Sequence, residues 1–338
     1  MPEAPPFSSF LAGLSLMNHV YFNPAMGALV RSNVPDHLDQ GPLTASELAQ
    51  LAGMNALSLT RTLRALTAFG TFHEVSPGVF ANNSVSDLFR NQGGLRNTAL
   101  FYTSDHFRKS AVALGHSVET GEPATPYVFG KSIWQIMQED PEMGETFNRC
   151  LAELRGDEHR QIANAYDWTG AKTVLDVGGG VGSLLAAILE KQPGLCGILL
   201  EQPSVLPQAE QLLSERNIRE RCKLIGGSFL DPIPAVAEVW TLSQVLHDWP
   251  DAECRTILGC CREAMRPNDR LLVLEMLTVP CQPNIQVGLI DMLMLMYFGE
   301  ARQRTVDEYT QLFDATGFAL TRVLPTAGAF SIVEAHPV

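Results

Sequence analysis

Residues 174–182 read VLDVGGGVG: an apolar run, an aspartate, then four glycines in five positions. An apolar run that breaks off at glycines is the pattern of a buried strand turning into a helix. Glycine at such a bend accepts left-handed backbone and lets a ligand approach the peptide groups. Working outward, KTVLDV, CGILLE, CKLIGG, VWTLS and LLVLEML are short apolar runs, most of them separated by helix-length segments. Strands buried on both faces have this composition, so from Lys172 onward the pattern predicts a doubly wound α/β sheet with parallel strands. TVDEYTQLFDATGF follows as a helix with Thr305 and Glu308 spaced as a capping box, and ALTRVLP and AFSIVEA close the domain as two further strands.

Upstream the rhythm differs, and residues 8–168 read almost wholly as helix. PLTASELAQLAG sets Thr44 and Glu47 at capping-box spacing, and NALSLTRTLRALTAFG puts Leu59, Leu63 and Leu66 on one face with Gly70 at its end. TFHEV and GVFANN flank Pro77-Gly78 as a hairpin. Helix, turn, helix and hairpin in that order predict a winged helix. Between Leu43 and Arg90 the charges cancel, with Arg61, Arg64 and Arg90 against Glu47, Glu74 and Asp87, and the whole chain carries a net charge of -13. A DNA reader needs a basic recognition helix, so dimerisation is the expected use of this domain, not nucleic-acid binding. The same acidity argues against an anionic membrane surface.

The remaining features point to a cytoplasmic protein. MPEAPPFSSF has no basic stretch ahead of an apolar core, as a secretory signal would. The longest apolar stretch, IQVGLIDMLMLMYF (285–298), carries Asp291 and falls short of the roughly 20 residues a membrane span needs. The 7 cysteines (Cys150, Cys196, Cys222, Cys254, Cys260, Cys261 and Cys281) show no CxxC spacing, so neither a disulfide framework nor a zinc site is signalled. The expected organisation is 1–100 winged-helix dimerisation domain, 101–168 helical segment and 169–338 ligand-binding domain.

Three ligands compete for the glycine bend. A phosphate loop would need Lys and Ser/Thr at its end, and no Lys is there. The dinucleotide pattern is only partly met, with Ser183 at its last position. Asp176, Gly178, Gly180 and Gly182 meet D-x-G-x-G-x-G in full, which resembles the first motif of S-adenosylmethionine-dependent methyltransferases. That resemblance implies a loop cupping the methionine end of the cofactor. Glu201, ending the second strand in GILLEQP, is then placed to accept hydrogen bonds from both ribose hydroxyls, as the acid of dinucleotide folds does.

His247, in LSQVLHDWPD, lies just past the C-terminal end of the fourth strand, the edge where open α/β sheets bind ligands. Glu275 sits inside the apolar run LLVLEML, a costly place for a carboxylate without a partner. Neighbouring strand ends would bring the two together, the carboxylate fixing the imidazole tautomer and leaving the other nitrogen as a base. With these residues quoted, the likeness becomes specific. The winged-helix front, DVGGGVG, GILLEQP, GGSFLDPIP, VLHDWPD and QRTVDEYTQLFDATGF occur in the order seen in caffeic-acid-type and bacterial natural-product O-methyltransferases, over nearly the whole chain.

The resemblance implies His247 as catalytic base, with Glu275 and Gln303 flanking it. It implies Gln202, Ser228, Phe229, Ser243, Asp248 and Trp249 as further cofactor residues, with no metal. It implies an acceptor pocket lined by Phe129, Trp134, Phe147, Cys150, Leu151, Asp291, Met292, Met296, Tyr297 and Phe298, and a homodimer formed through the N-terminal domain. Three positions depart from the pattern: Ser228 and Ser243 stand where relatives often carry an acid and a lysine, and Gln303 replaces a second glutamate. The expected reaction is methyl transfer to a hydroxyl, phenolic by preference, of an aromatic or polyketide-like molecule. Those departures keep a rival open, in which the fold holds the cofactor for cyclisation, decarboxylation or hydroxylation. A ligand-sensing winged-helix regulator is the third reading.

Overall fold

A computed structural model describes residues 7–155 and 157–338, and these separate into two compact units. The first runs through Val112 and resumes at Lys131; the second holds Ala113–Gly130 and everything from Asp157 to Val338. The stretch 101–168 is therefore divided between them.

The chain opens with α1 (Phe7–Arg31), α2 (Val34–His37), α3 (Ala45–Ala52) and α4 (Ala56–Ala68), joined to β1 (Leu43–Thr44), β2 (His73–Ser76) and β3 (Val79–Ala81). The strands form an antiparallel sheet in the order β1-β3-β2, which completes a winged helix. Thr44 and Glu47 make the capping box of α3, and Leu59, Leu63 and Leu66 of α4 are buried against Phe72 and Phe80. Next come α5 (Arg96–Tyr102) and α6 (Asp105–Val112), then α7 (Leu114–Thr120) and α8 (Ala124–Phe129) of the second unit, then α9 (Ile133–Glu139) and α10 (Pro141–Arg155) of the first. Glu153 of α10 accepts the backbone N–H groups of Asn97 and Thr98 at 2.9 and 2.8 Å, supplying acceptors to the open start of α5. Helices α1 and α5 meet at Gly27, where a Cβ would lie 2.2 Å from Thr103 Oγ1. The far side of α1 exposes Leu11, Leu14, Leu16, Met17, Val20 and Tyr21.

The second unit continues with α11 (Glu158–Ala165), β4 (Thr173–Val177), α12 (Ser183–Lys191), β5 (Cys196–Glu201), α13 (Leu206–Glu215), β6 (Cys222–Gly226), β7 (Val239–Ser243), α14 (Asp251–Ala264), β8 (Arg270–Met276), α15 (Ile285–Phe298), α16 (Val306–Asp314), β9 (Phe318–Pro325) and β10 (Phe330–Pro337). Its sheet runs β6-β5-β4-β7-β8-β10-β9. The five apolar strands are parallel as expected, but β10 pairs antiparallel with both β8 and β9. The cause is the short link between the last two strands, which suffices for a hairpin and not for a crossover. Strand order reverses between β4 and β7, so their C-terminal ends flank a topological switch point. Apolar layers cover both faces of the sheet, one around Leu185 and Ile188, the other around Trp240 and Ile257. Among the described residues no helix is long and apolar enough to cross a membrane, and all seven cysteines are free.

Candidate active site

The bend after β4 has the backbone that its glycines permit. Gly178, Gly180 and Gly182 take φ of 68°, 57° and 78°, which side chains with a Cβ resist. Gly179 is needed for room: a Cβ there would lie 2.3 Å from Asp176 Oδ2 and 2.6 Å from Leu199. Asp176 is fully buried; Oδ1 accepts from Thr241 Oγ1 at 2.7 Å, and Oδ2 has no hydrogen-bond partner. Burial pushes its carboxyl up to about 7, only partly opposed by the Thr241 hydrogen bond.

Several expected cofactor residues converge on this bend. Glu201 ends β5, and its Oε2 accepts the Gly180 N–H at 2.8 Å while Oε1 accepts that of Gln202 at 2.7 Å. Phe229 packs against Gly178, close enough that a Cβ would sit 3.0 Å from its ring, and meets Trp249 edge-on at 5.9 Å. Ser228 turns its hydroxyl to the Leu230 N–H at 3.1 Å, so it shapes the turn after β6. Ser243 ends β7 in register with Leu274. Val245 also reaches Gly178, its Cγ2 3.1 Å from where a Cβ would stand, which joins the bend to the His247 turn.

His247 lies in a single 3₁₀ turn, Leu246–Asp248, beyond β7, and is buried. Two groups approach Nδ1. Glu275 Oε2, on the neighbouring strand β8, is 3.0 Å away but off the hydrogen-bonding direction, and the Gln303 side-chain amide is 2.8 Å away. An amide nitrogen facing Nδ1 would require the ring proton on Nε2 and leave no base there. The carboxylate beside Nδ1 favours a proton on that nitrogen, and Gln303 Oε1 otherwise has no partner. The consistent assignment turns the amide so that Oε1 accepts from Nδ1–H. Gln303 is held by its own backbone N–H, which Asp291 Oδ1 accepts at 2.7 Å. Asp248, expected at the cofactor, places Oδ1 3.3 Å from His247 Nε2. Burial alone would discharge the imidazole, but Glu275 and Asp248 together outweigh it and raise its pKa to about 10.

The expected pocket residues divide between the units. In the first, Trp134 on α9 and Phe147 on α10 meet edge to face at 6.3 Å, with Phe101 5.0 Å beyond; Cys150 is buried and Leu151 half-buried on the same helix. In the second, α8, which ends at Phe129, packs on α15, which carries Met292, Met296, Tyr297 and Phe298. Of that helix Met296 and Tyr297 are buried and Met292 is exposed. Asp291 serves the Gln303 backbone. The sequence reading missed Arg304, fully buried beside Gln303, although a cation next to a capping box was a signal in plain view.

Residues 112–319 match the O-methyltransferase domain, and residues 14–92 match the O-methyltransferase dimerisation domain. The chain belongs to the O-methyltransferase family. This methyltransferase is 36% identical over 337 residues to a phenazine O-methyltransferase of Lysobacter antibioticus, covering 99% of this chain and 98% of the relative. The solved mitomycin 7-O-methyltransferase superposes with a TM-score of 0.91 at 35% identity, covering 98% of each chain. An O-methyltransferase from neocarzinostatin biosynthesis, solved with S-adenosylmethionine and 2-hydroxy-5-methyl naphthoic acid, has a TM-score of 0.80 at 32% identity, over 94% of this chain and 96% of that one. Methyl transfer from S-adenosylmethionine is therefore the activity class, and the residues present fit that cofactor. The glycine bend exposes backbone, an acid ends the adjacent strand with lone pairs to spare, and a Phe–Trp pair walls the side.

Proposed function

We propose that this methyltransferase methylates a phenolic hydroxyl on a planar, largely apolar aromatic small molecule, with His247 as general base. One observation carries the reading: a buried imidazole, bonded at Nδ1 to Gln303 with the Glu275 carboxylate 3.0 Å from the same nitrogen, stands at the switch point beside the glycine bend. S-adenosylmethionine supplies a methyl group on a sulfonium, already an excellent leaving group. The chain's work is then to align the acceptor and manage one proton. Orientation accounts for about 7–11 kcal/mol of barrier in favourable cases, and a placed base adds roughly 10²–10⁴-fold.

Proton transfer follows from the raised imidazole. A phenol has a pKa near 10, so His247 at about 10 takes its proton with little uphill cost. The same shift leaves His247 charged in the free enzyme near neutrality, so the enzyme and acceptor must together shed one proton before transfer. Turnover should therefore rise with pH. Asp176, Gly178, Gly180, Gly182, Glu201, Gln202, Ser228, Phe229, Ser243 and Trp249 are the proposed cofactor shell, with Asp248 reaching toward Nε2. Phe129, Met292, Met296, Tyr297 and Phe298 are the proposed acceptor walls of the second unit, where Asp291 braces the Gln303 backbone.

A homodimer through the winged-helix unit is the proposed assembly, supported by the exposed apolar side of α1. A cytoplasmic setting is proposed from the unpaired cysteines. The test is to incubate the protein with S-adenosylmethionine and a panel of hydroxylated aromatics, then weigh the products. A methyl gain with loss of the cofactor's methyl supports the reading. An altered acceptor with the cofactor intact would favour cyclisation, decarboxylation or hydroxylation instead.

A further inference from the structure

The turn carrying His247 is not at rest by its own sequence. It leaves β7 through Gln244, which adopts φ 53° and donates its backbone N–H to Leu274 O at 3.1 Å. A residue with a side chain resists that conformation, so other contacts must hold the turn in place. Glu275 Oε1 accepts the His247 backbone N–H at 3.3 Å, and Cys254 Sγ donates weakly to Leu246 O and Trp249 O at 3.2 and 3.4 Å, but Arg304 supplies the shortest contacts. Its guanidinium is fully buried; Nη1 donates to Leu246 O and Nη2 to Trp249 O, each at 2.7 Å. These are the carbonyls of the residue before His247 and of the residue two beyond it. Nε and Nη2 also donate to Asp251 Oδ1 at 3.0 and 2.8 Å.

A buried cation is disfavoured where apolar packing would serve, so its donors matter more than its bulk. A guanidinium is flat and its donors are fixed in a fork, so it sets the spacing of two acceptors at once, whereas an ammonium is a single point. The strip bearing Arg304 is itself anchored: Thr278 donates its backbone N–H to Arg304 O at 3.0 Å and its hydroxyl to Gln303 O at 3.2 Å. Gln303 touches the imidazole while Arg304, its neighbour, grips the backbone on both sides of it.

We propose that Arg304 is a positioning residue for the reaction: it locks the carbonyls bracketing His247 and so aims the imidazole, without touching acceptor or cofactor. This rests on His247 being the base. The experiment compares Arg304→Lys, Asp251→Asn, Arg302→Gln and His247→Ala for kcat, acceptor KM, pH profile and S-adenosylmethionine affinity by calorimetry, each protein first checked for folding by its melting curve. Arg304→Lys should lower kcat about 10–100-fold with cofactor affinity changed less than about threefold, because a displacement of about 1 Å is enough to cost 10²-fold. Its pH profile should shift, since the ring drifts from Glu275. Asp251→Asn, which loosens one arm of the fork, should fall between. Arg302→Gln removes an outer partner that Asp251 shares with Glu308, leaves both carbonyl contacts of Arg304 in place, and should stay within about twofold.

A folded Arg304→Lys protein with unchanged kcat and pH profile overturns the proposal, as does one whose cofactor affinity falls in step with kcat. Should that variant fail to fold, Asp251→Asn decides, and full turnover there overturns it equally. Retained turnover in His247→Ala would instead sink the assignment of the base, a separate result.

Discussion

Replacing Glu275 by glutamine keeps the shape of the side chain and removes one of two carboxylates facing His247. Glu275 Oε2 lies 3.0 Å from Nδ1, and unit charges at that distance attract by about 5.5 kcal/mol at an effective dielectric near 20. At 1.36 kcal/mol per pH unit this corresponds to about 4 units. That figure is a ceiling, because the carboxylate charge is spread over two oxygens and Asp248 remains 3.3 Å from Nε2. A fall of about 2–3 units from about 10 would bring the imidazole to about 7–8. The assay is kcat/KM against pH with saturating cofactor, the acceptor's own ionisation being measured separately. The wild-type rate should climb through neutrality and level off near pH 10, and the Glu275→Gln rate should level off about 2–3 units earlier at a lower plateau, since a weaker base transfers less effectively. Superimposable profiles would refute the coupling of Glu275 to His247. So would a wild-type profile that is flat from neutrality upward.

His247→Ala should cut kcat by roughly 10²–10⁴-fold while calorimetry finds cofactor affinity almost unchanged; undiminished turnover removes His247 from the chemistry. Asp176 is an acid whose folded pKa of about 7 stands above its ordinary 3.8, so the folded protein holds the extra proton and stability should fall as pH rises from about 4 through 7. Across that difference of about 3 units the loss is about 4 kcal/mol, and Asp176→Asn should flatten that part of the curve; equal slopes in urea unfolding of the two proteins would contradict this. Gly27→Ala drives a methyl into Thr103 where α1 meets α5 and should destabilise the first unit by about 1–3 kcal/mol. An unchanged melting midpoint would show that the crossing can open freely.

Much of this was legible from residue types alone. The strands β4, β5, β7 and β8 declare themselves because burial on both faces demands largely apolar runs, and Glu275 stands out because it follows four apolar residues, Leu271–Leu274, in the interior of its strand. The capping boxes of α3 and α16 were readable because their chemistry is local, closed within four residues, although a third, Ser132 with Gln135 at α9, went unread. What escaped depends on distant backbone. Arg304 grips carbonyls, which every residue possesses, so the accepting side leaves no mark in the sequence. Asp291 likewise serves a backbone N–H twelve positions away, though its residue type suits a ligand pocket equally well. The seat of β10 between β8 and β9 could not be read either, because the short link dictates a hairpin but not which of its two strands meets β8.

That seat matters beyond topology. Because β10 slots between β8 and β9, Ser331 stands opposite Glu275, and the strand carrying this carboxylate has a neighbour on each side. Had the sheet stopped at β8, the acid would sit on an open rim where solvent could hydrate it and soften its pull on the ring. The closing hairpin thus acts as insulation, and damage to it would show up as a blunted catalyst even though the hairpin contributes no group to the reaction.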